Sequence, residues 1–276
     1  MKNHEVVIEP GRSERHYWRD LWRNRELLYI LSMRDISVRY KQTILGTSWS
    51  LIRPLTTMLI MVFVFSVVAK LPGDPPIPYP LTVLAGITIW TLFSNAFTQI
   101  STSITTNANL VTKVYFPRLI MPLSSIVVSF IDFLISLGLF IVLCVWYQYV
   151  PDWHIVFLPF FIALALLAAF AFGLIFSVLN VRFRDIIHLI PFIVQIGFYI
   201  CPIAYSSRLV TSNWFYKYYL MNPMVGIIDG FRWSLLGEKS FFNPISLVYS
   251  MVFIGVFLLI SVYFFRKREN TFVDDI

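Results

Sequence analysis

The sequence predicts an all-α integral membrane protein: six transmembrane helices, an N-terminal amphipathic interface helix, and short re-entrant gate helices between spans five and six. Three observations lead there. Of the 276 residues, 58% are hydrophobic and only 13% charged, about half the charged share of an average soluble domain. The charges are segregated, leaving uncharged runs near the roughly 20 residues a helix needs to cross a bilayer. Prolines and polar clusters punctuate those runs.

Residues 1–50 form a polar, basic N-terminal region with no cleavable signal sequence. From Ser13 to Gln42, Trp18, Leu21, Trp22 and Tyr29 share one helical face, and Arg15, Arg19, Arg23 and Glu26 lie mainly off it. Tryptophans beside a cationic face suit a helix lying in the membrane interface. The six-span domain occupies residues 51–265. Its spans run from about Leu51 to Val68, Leu81 to Ser101, Leu119 to Tyr149, Ile155 to Leu179, Ile186 to Tyr205 and Ile245 to Phe265. The loop LPGDPPIPYP ends the first span. The last stops at Arg266-Lys267-Arg268, which opens a tail over residues 266–276. The segment 206–242 fits neither a loop nor a span: its apolar pieces are too short to cross, and Asn222-Pro223 breaks them apart.

Cation placement sets the orientation. Ten lysines and arginines precede or open the first span, two lie between spans two and three, two between four and five, and three in the tail. The other side holds five: Lys70, Arg208, Lys217, Arg232 and Lys239. Both termini are therefore expected in the cytoplasm. The same distribution turns the net charge of +7 away from nucleic acid and toward the membrane.

The chemistry of an enzyme is missing. His4, His16, His154 and His188 are scattered without the i, i+4 spacing of a zinc helix, and no acids and bases gather at one depth. No catalytic or metal-ligating residue is predicted. Asp132 is the one ionisable group well inside a span; a substrate or gating contact and a pairing with a neighbouring helix both suit it. No G-x-x-x-x-G-K-[ST] phosphate loop occurs, so active transport would draw ATP and Mg from a separate subunit, with no cofactor on this chain. The stretch NANLVTKVYFPRLIMP, Asn107 to Pro122, is too apolar for a cytoplasmic loop and reads as a short helix offered to another protein.

Five motifs carry a resemblance: RDISVRYKQTILGTSWSLIRP at Arg34 to Pro54, NANLVTKVYFPR at Asn107 to Arg118, LNVRFRDI at Leu179 to Ile186, NPM at Asn222 to Met224, and Asp229-Gly230-Phe231-Arg232. In this order and spacing the chain resembles the membrane subunits of type-2 ABC exporters that carry polysaccharides: O-antigen, capsule and teichoic acid. The resemblance implies a homodimer working with two copies of an ATPase in a bacterial inner membrane. Asn107, Leu110, Val111, Lys113, Val114, Tyr115, Phe116 and Arg118 would form the coupling helix seated in the ATPase. Arg182, Arg184 and Asp185 would make a second, smaller contact there or an internal ion pair.

The cargo implied is a polyprenyl-linked polysaccharide. Sugar faces stack on aromatic rings, and Phe192, Phe198, Tyr199, Tyr205, Trp214, Phe215, Tyr216, Tyr218 and Tyr219 follow one another through span five and the gate segment; an aromatic belt at the interface needs the same residues. Arg39, Lys41 and Arg53, just before or at the start of span one, are placed to hold a lipid pyrophosphate or only to enforce topology. Alternative functions are export of a drug or small lipid, a membrane glycosyl- or acyltransferase, and a membrane scaffold.

Overall fold

The computed structural model describes residues 13–41, 48–70, 76–211 and 214–272. Every regular element among them is helical. The N-terminal region forms α1 (Ser13–Arg23) and α2 (Arg25–Lys41). Where the sequence suggests one helix there are two: the Asn24 amide turns back to donate to the Asp20 carbonyl at 2.8 Å, a local bond that competes with helix continuation. Trp18, Trp22 and Tyr29 are exposed, while Tyr17 and Leu31 are buried.

The first long helix is α3 (Ser48–Val62), whose last turns widen into a π-helix over Phe63–Val68. After it come α4 (Tyr79–Thr106), the short α5 (Ala108–Lys113) and α6 (Ile120–Trp146). A 3-10 turn at Trp153–Phe157 leads into α7 (Leu158–Arg182). Then follow α8 (Ile186–Ile200), α9 (Tyr216–Leu220), α10 (Pro223–Leu236) and α11 (Pro244–Arg268), with a final 3-10 turn at Glu269–Thr271. The two Asn-Pro pairs start helices as much as they break the chain. Asn222 and Asn243 accept from the backbone N–H of Met224 and Ile245 at 3.0 and 2.9 Å, and the prolines fill first-turn positions that need no N–H.

Among the described residues, five helices are long and apolar enough to span a bilayer: Ser48–Val68, Tyr79–Thr106, Ile120–Trp146, Trp153–Arg182 and Pro244–Arg268. The expected fifth span is shorter as a helix. α8 has 15 residues, about 22 Å at 1.5 Å per residue, against a hydrocarbon core of roughly 30 Å. Pro202 explains the stop, because Cys201 before it is extended at φ −79°, ψ 151°.

α4 is the axis of the bundle, buried along most of its length with α6 and α7 on either side. α7 buries Ala165, Ala168, Ala169 and Gly173, small residues of the kind that let membrane helices approach closely. α11 closes over α7 and α10. By contrast α3, α8 and α11 leave long apolar sides exposed, among them Leu59, Phe63, Val67, Phe192, Tyr199 and Leu259.

The bundle has two distinct ends. Tyr17, Arg118, Arg182 and the turn after Arg268 gather at one, the terminal end. At the other, Tyr79 donates to the Ala204 carbonyl, Tyr149 donates to the Leu236 carbonyl, and Asp152 lies beside Gly237. Gly237 ends α10 at φ +71°, where an L side chain is strained, and a Cβ there would strike the Asp152 carboxylate. Gly237→Ala is therefore expected to destabilise the protein by on the order of 1 kcal/mol or more, read as a lower Tm in detergent.

Candidate functional site

A cavity of about 230 Å³ opens between α2, α3, α4 and α6, beside the middle of α4 and α6. Its walls include Arg39, Tyr40, Ser50, Arg53, Asn95 and Asp132. Two of the three predicted head-group cations thus come together; the side chain of the third, Lys41, lies outside the described residues. Asp132, 6% exposed, is paired with neighbouring elements. One carboxylate oxygen accepts from the Tyr40 hydroxyl at 2.6 Å and the Ser50 hydroxyl at 3.0 Å. The other lies 2.6 Å from Nη2 of Arg39. Burial and the bond to Asp132 push the Tyr40 hydroxyl up to about 12, so it remains a donor at neutral pH. Arg53 is exposed, and it makes no ion pair among the described residues.

The coupling segment divides into an anchor and a face. Val111 and Phe116 are buried and Leu110 is half-buried against this chain's own core, so these do not present themselves outward. Lys113, Val114 and Tyr115 are exposed, the last two at 48% and 65%. Both ends of the segment are tied down. Arg34 of α2 donates to the Asn107 side-chain oxygen at 2.6 Å while also pairing with Asp35. At the other end the Arg118 backbone N–H donates to Oε1 of Glu269 at 3.2 Å, and its guanidinium donates to the Glu269 carbonyl at 2.6 Å. The Arg266 guanidinium lies over the Tyr17 ring, 4.5 Å from its centroid. Burial raises the Glu269 carboxyl above its ordinary value, with Arg118 and Tyr17 acting against that rise. Arg182, Arg184 and Asp185 are exposed. Arg182 lies over the Phe183 ring, and Asp185 enters no ion pair among the described residues.

The aromatic candidates separate in the same way. Phe192, Tyr199, Trp214, Phe215 and Tyr218 are exposed. Tyr219 is buried with Val210 and Val225, Tyr205 and Tyr216 pack against that cluster, and Phe198 packs on the main core. The Tyr219 hydroxyl meets Ser207 at 3.1 Å, and Asn243 donates to the Tyr216 hydroxyl at 2.8 Å. This region hangs on Arg232, 2% exposed, which donates to the carbonyls of Thr82 and Tyr205 at 3.0 Å each and to that of Ile203 at 2.5 Å. Sequence reasoning counted Arg232 as a charge and left Glu269, Tyr17, Tyr40 and Ser50 without roles. Only Arg232 carried a usable signal: a cation in a mostly apolar helix must find buried acceptors.

This arrangement is a bundle of apolar helices carrying a short, firmly held segment at one end and an arginine-clamped cap at the other. A family described as ABC-2 type transporter matches residues 26–236. The chain belongs to that family. It is similar to the O-antigen export system permease protein RfbA of Myxococcus xanthus, 30% identical over 216 residues, covering 78% of this chain and 82% of the relative. The protein of the same name from Klebsiella pneumoniae is 28% identical over 254 residues, covering 90% and 94%. The polysialic acid transport protein KpsM of Escherichia coli is 24% identical over 246 residues, covering 87% and 92%. The chain is accordingly a multi-pass membrane permease subunit without a nucleotide site of its own, and the family implies a separate ATPase subunit.

Proposed function

We propose that this ABC-2 permease moves a lipid-linked, O-antigen-like polysaccharide across the bacterial inner membrane, as a homodimer with two separate ATPase subunits. The observation that carries the proposal is the coupling segment. A partner that closes on ATP can move the spans only by pushing on something stiff. Here the segment from Asn107 to Arg118 is anchored inward by Val111 and Phe116 and tied at both ends, while Lys113, Val114 and Tyr115 stand outward. The terminal end would then be cytoplasmic, in agreement with the cation distribution.

Chain parity favours six crossings. Four long helices return the chain to the terminal end at Arg182, and α11 also ends there. Between them α8 and the residues up to Tyr205 carry the chain to the far end. The segment 206–242 would cap the path as the gate, and the exposed sides of α3 and α8 offer apolar surface for a second copy and for the cargo. Arg39 and Arg53 beside one cavity favour the pyrophosphate role over topology alone, since cations near the surface attract anionic head groups by about 1 kcal/mol each. Trp18, Trp22 and Tyr29 would rest α1 and α2 on the membrane surface.

Cysteines at Val114 or Tyr115 are expected to cross-link to the co-expressed ATPase. Charged or bulky substitutions there should uncouple ATP hydrolysis from export while leaving membrane insertion intact. Efficient export with no cross-link at either position would remove the basis of this reading.

A further inference from the structure

α7 and α11 run side by side and finish together at the terminal end, where a cavity of about 260 Å³ opens between their last turns. Arg182 and Phe183 line it from α7, Phe264 and Arg268 from α11, and Thr271 and Phe272 from the turn beyond. Its floor is apolar: Phe272 is 1% exposed and packs on Phe265, with ring centroids 5.4 Å apart. Its mouth is cationic. Arg182 and Arg268 are exposed and enter no ion pair among the described residues, and the Arg182 guanidinium rests 5.4 Å from the centroid of the Phe183 ring. The described lining residues include no acid. Glu269, next to Arg268 in the sequence, is buried and bonded to Arg118 instead. Two guanidiniums left uncompensated at the mouth of one pocket favour an anion there, and phosphate oxygens suit their planar forks.

The surface beside the pocket indicates what carries the anion. Val252, Val256, Leu259, Ile260 and Tyr263 are exposed along α11, at the spacing of a single helical face, and this stripe ends beside Phe264 and Arg268. An acyl chain needs such a track; a free phosphate ion does not. We propose that the cavity between the ends of α7 and α11 is a head-group site for an anionic phospholipid. Arg182 and Arg268 hold its phosphate, and its acyl chains lie along the outer side of α11. Basic pockets between membrane helices at the bilayer surface hold anionic head groups in this way. Thr271 adds no donor, because its hydroxyl already donates to the Arg268 carbonyl at 2.9 Å, so the two arginines carry the recognition. A zwitterionic choline lipid fits poorly, since it brings a cation of its own to two guanidiniums. The site gives Arg182 a role apart from the ATPase contact implied by the resemblance, and it is independent of the cargo.

The test titrates the full chain in detergent with dioleoylphosphatidylglycerol, dioleoylphosphatidylcholine or inorganic phosphate. Bound lipid is counted by native mass spectrometry, and Tm is followed in parallel because a ligand of the folded state raises it. Phosphatidylglycerol is expected to bind about tenfold or more tighter than phosphatidylcholine. Arg182→Gln and Arg268→Gln should each weaken it about fivefold, and the double variant about twenty-five-fold. Both arginines are exposed and outside any ion pair among the described residues, so these variants keep the fold. Lys217→Gln, which removes an exposed cation at the far end, should leave the affinity unchanged. Equal binding of the two lipids, undiminished binding in the double variant, or an equal loss in Lys217→Gln overturns the proposal. Inorganic phosphate raising Tm as far as phosphatidylglycerol at the same concentration overturns it too, in favour of a simple ion site. Asp274 and Asp275 follow the pocket in sequence and supply the rival occupant. Lipid binding seen only when both are changed to Asn would mean that the tail carboxylates take the arginines, and would also overturn it.

Discussion

Arg232→Ala is expected to lower the stability of the permease by about 3–5 kcal/mol, the range for removing one side of a buried charged interaction, and to leave little assembled protein in the membrane. The arginine is 2% exposed and sits in α10, yet its guanidinium holds carbonyls from two other parts of the chain: Thr82 in the first turn of α4, and Ile203 and Tyr205 in the stretch after α8. Those two carbonyls follow the proline that stops α8, so they have no helical partners, and a buried acceptor left bare loses about 1–3 kcal/mol. Gly86 makes room for the clamp: a Cβ there would lie 2.6 Å from Nη2 of Arg232 and 2.7 Å from the Ile203 carbonyl oxygen. Arg232→Lys should fall between wild type and alanine, because an ammonium reaches fewer of three diverging carbonyls than a planar fork does. Thermal unfolding in detergent and the amount of protein recovered from membranes both read this order. An alanine variant as stable as wild type would mean that the three bonds are replaced by water and that the cap is held by packing alone.

The long helices were legible because hydrophobic length is a one-dimensional property: α3, α4, α6, α7 and α11 each announce themselves as long apolar runs with few charges. Local breakers were also legible, though their meaning was only half visible. Pro202 truncates α8, while Pro223 and Pro244 begin helices behind capping asparagines. The direction of side chains in α5 was not legible. In six residues carrying Leu110, Val111 and the following Val114, Tyr115 and Phe116, density of apolar residues signals contact but not with whom, and Val111 and Phe116 turn out to serve the chain's own core. Long-range polar pairs were hidden for a different reason. Tyr40 meets Asp132 across 92 positions and Arg118 meets Glu269 across 151. Neither end of such a pair has a periodicity to betray it, and Glu269, next to three cations, reads as an ordinary solvated charge.

Glu269→Ala is expected to loosen the coupling segment and to lose roughly 1–3 kcal/mol, because the backbone N–H of Arg118 would be left without its acceptor. The residue lies in the turn that follows α11, so its bond ties the tail to the exit of the segment proposed to receive the ATPase's push. Export should fall further than ATP hydrolysis, since a loosened exit absorbs motion that α6 would otherwise receive. Hydrogen exchange should rise across residues 108–119. Glu269→Gln keeps an acceptor and should preserve most of the coupling, but it changes the pH dependence. Burial raises the carboxyl above the ordinary 4.5, so in that window the native state holds a proton the unfolded chain has released. Its contribution to stability is complete below the ordinary value and is lost as pH climbs through the raised one. Wild type should therefore lose stability with rising pH over that interval, and Glu269→Gln should lose less. Equal slopes in the two proteins, with equal exchange across 108–119 in Glu269→Ala, would show that the tail does not hold the segment.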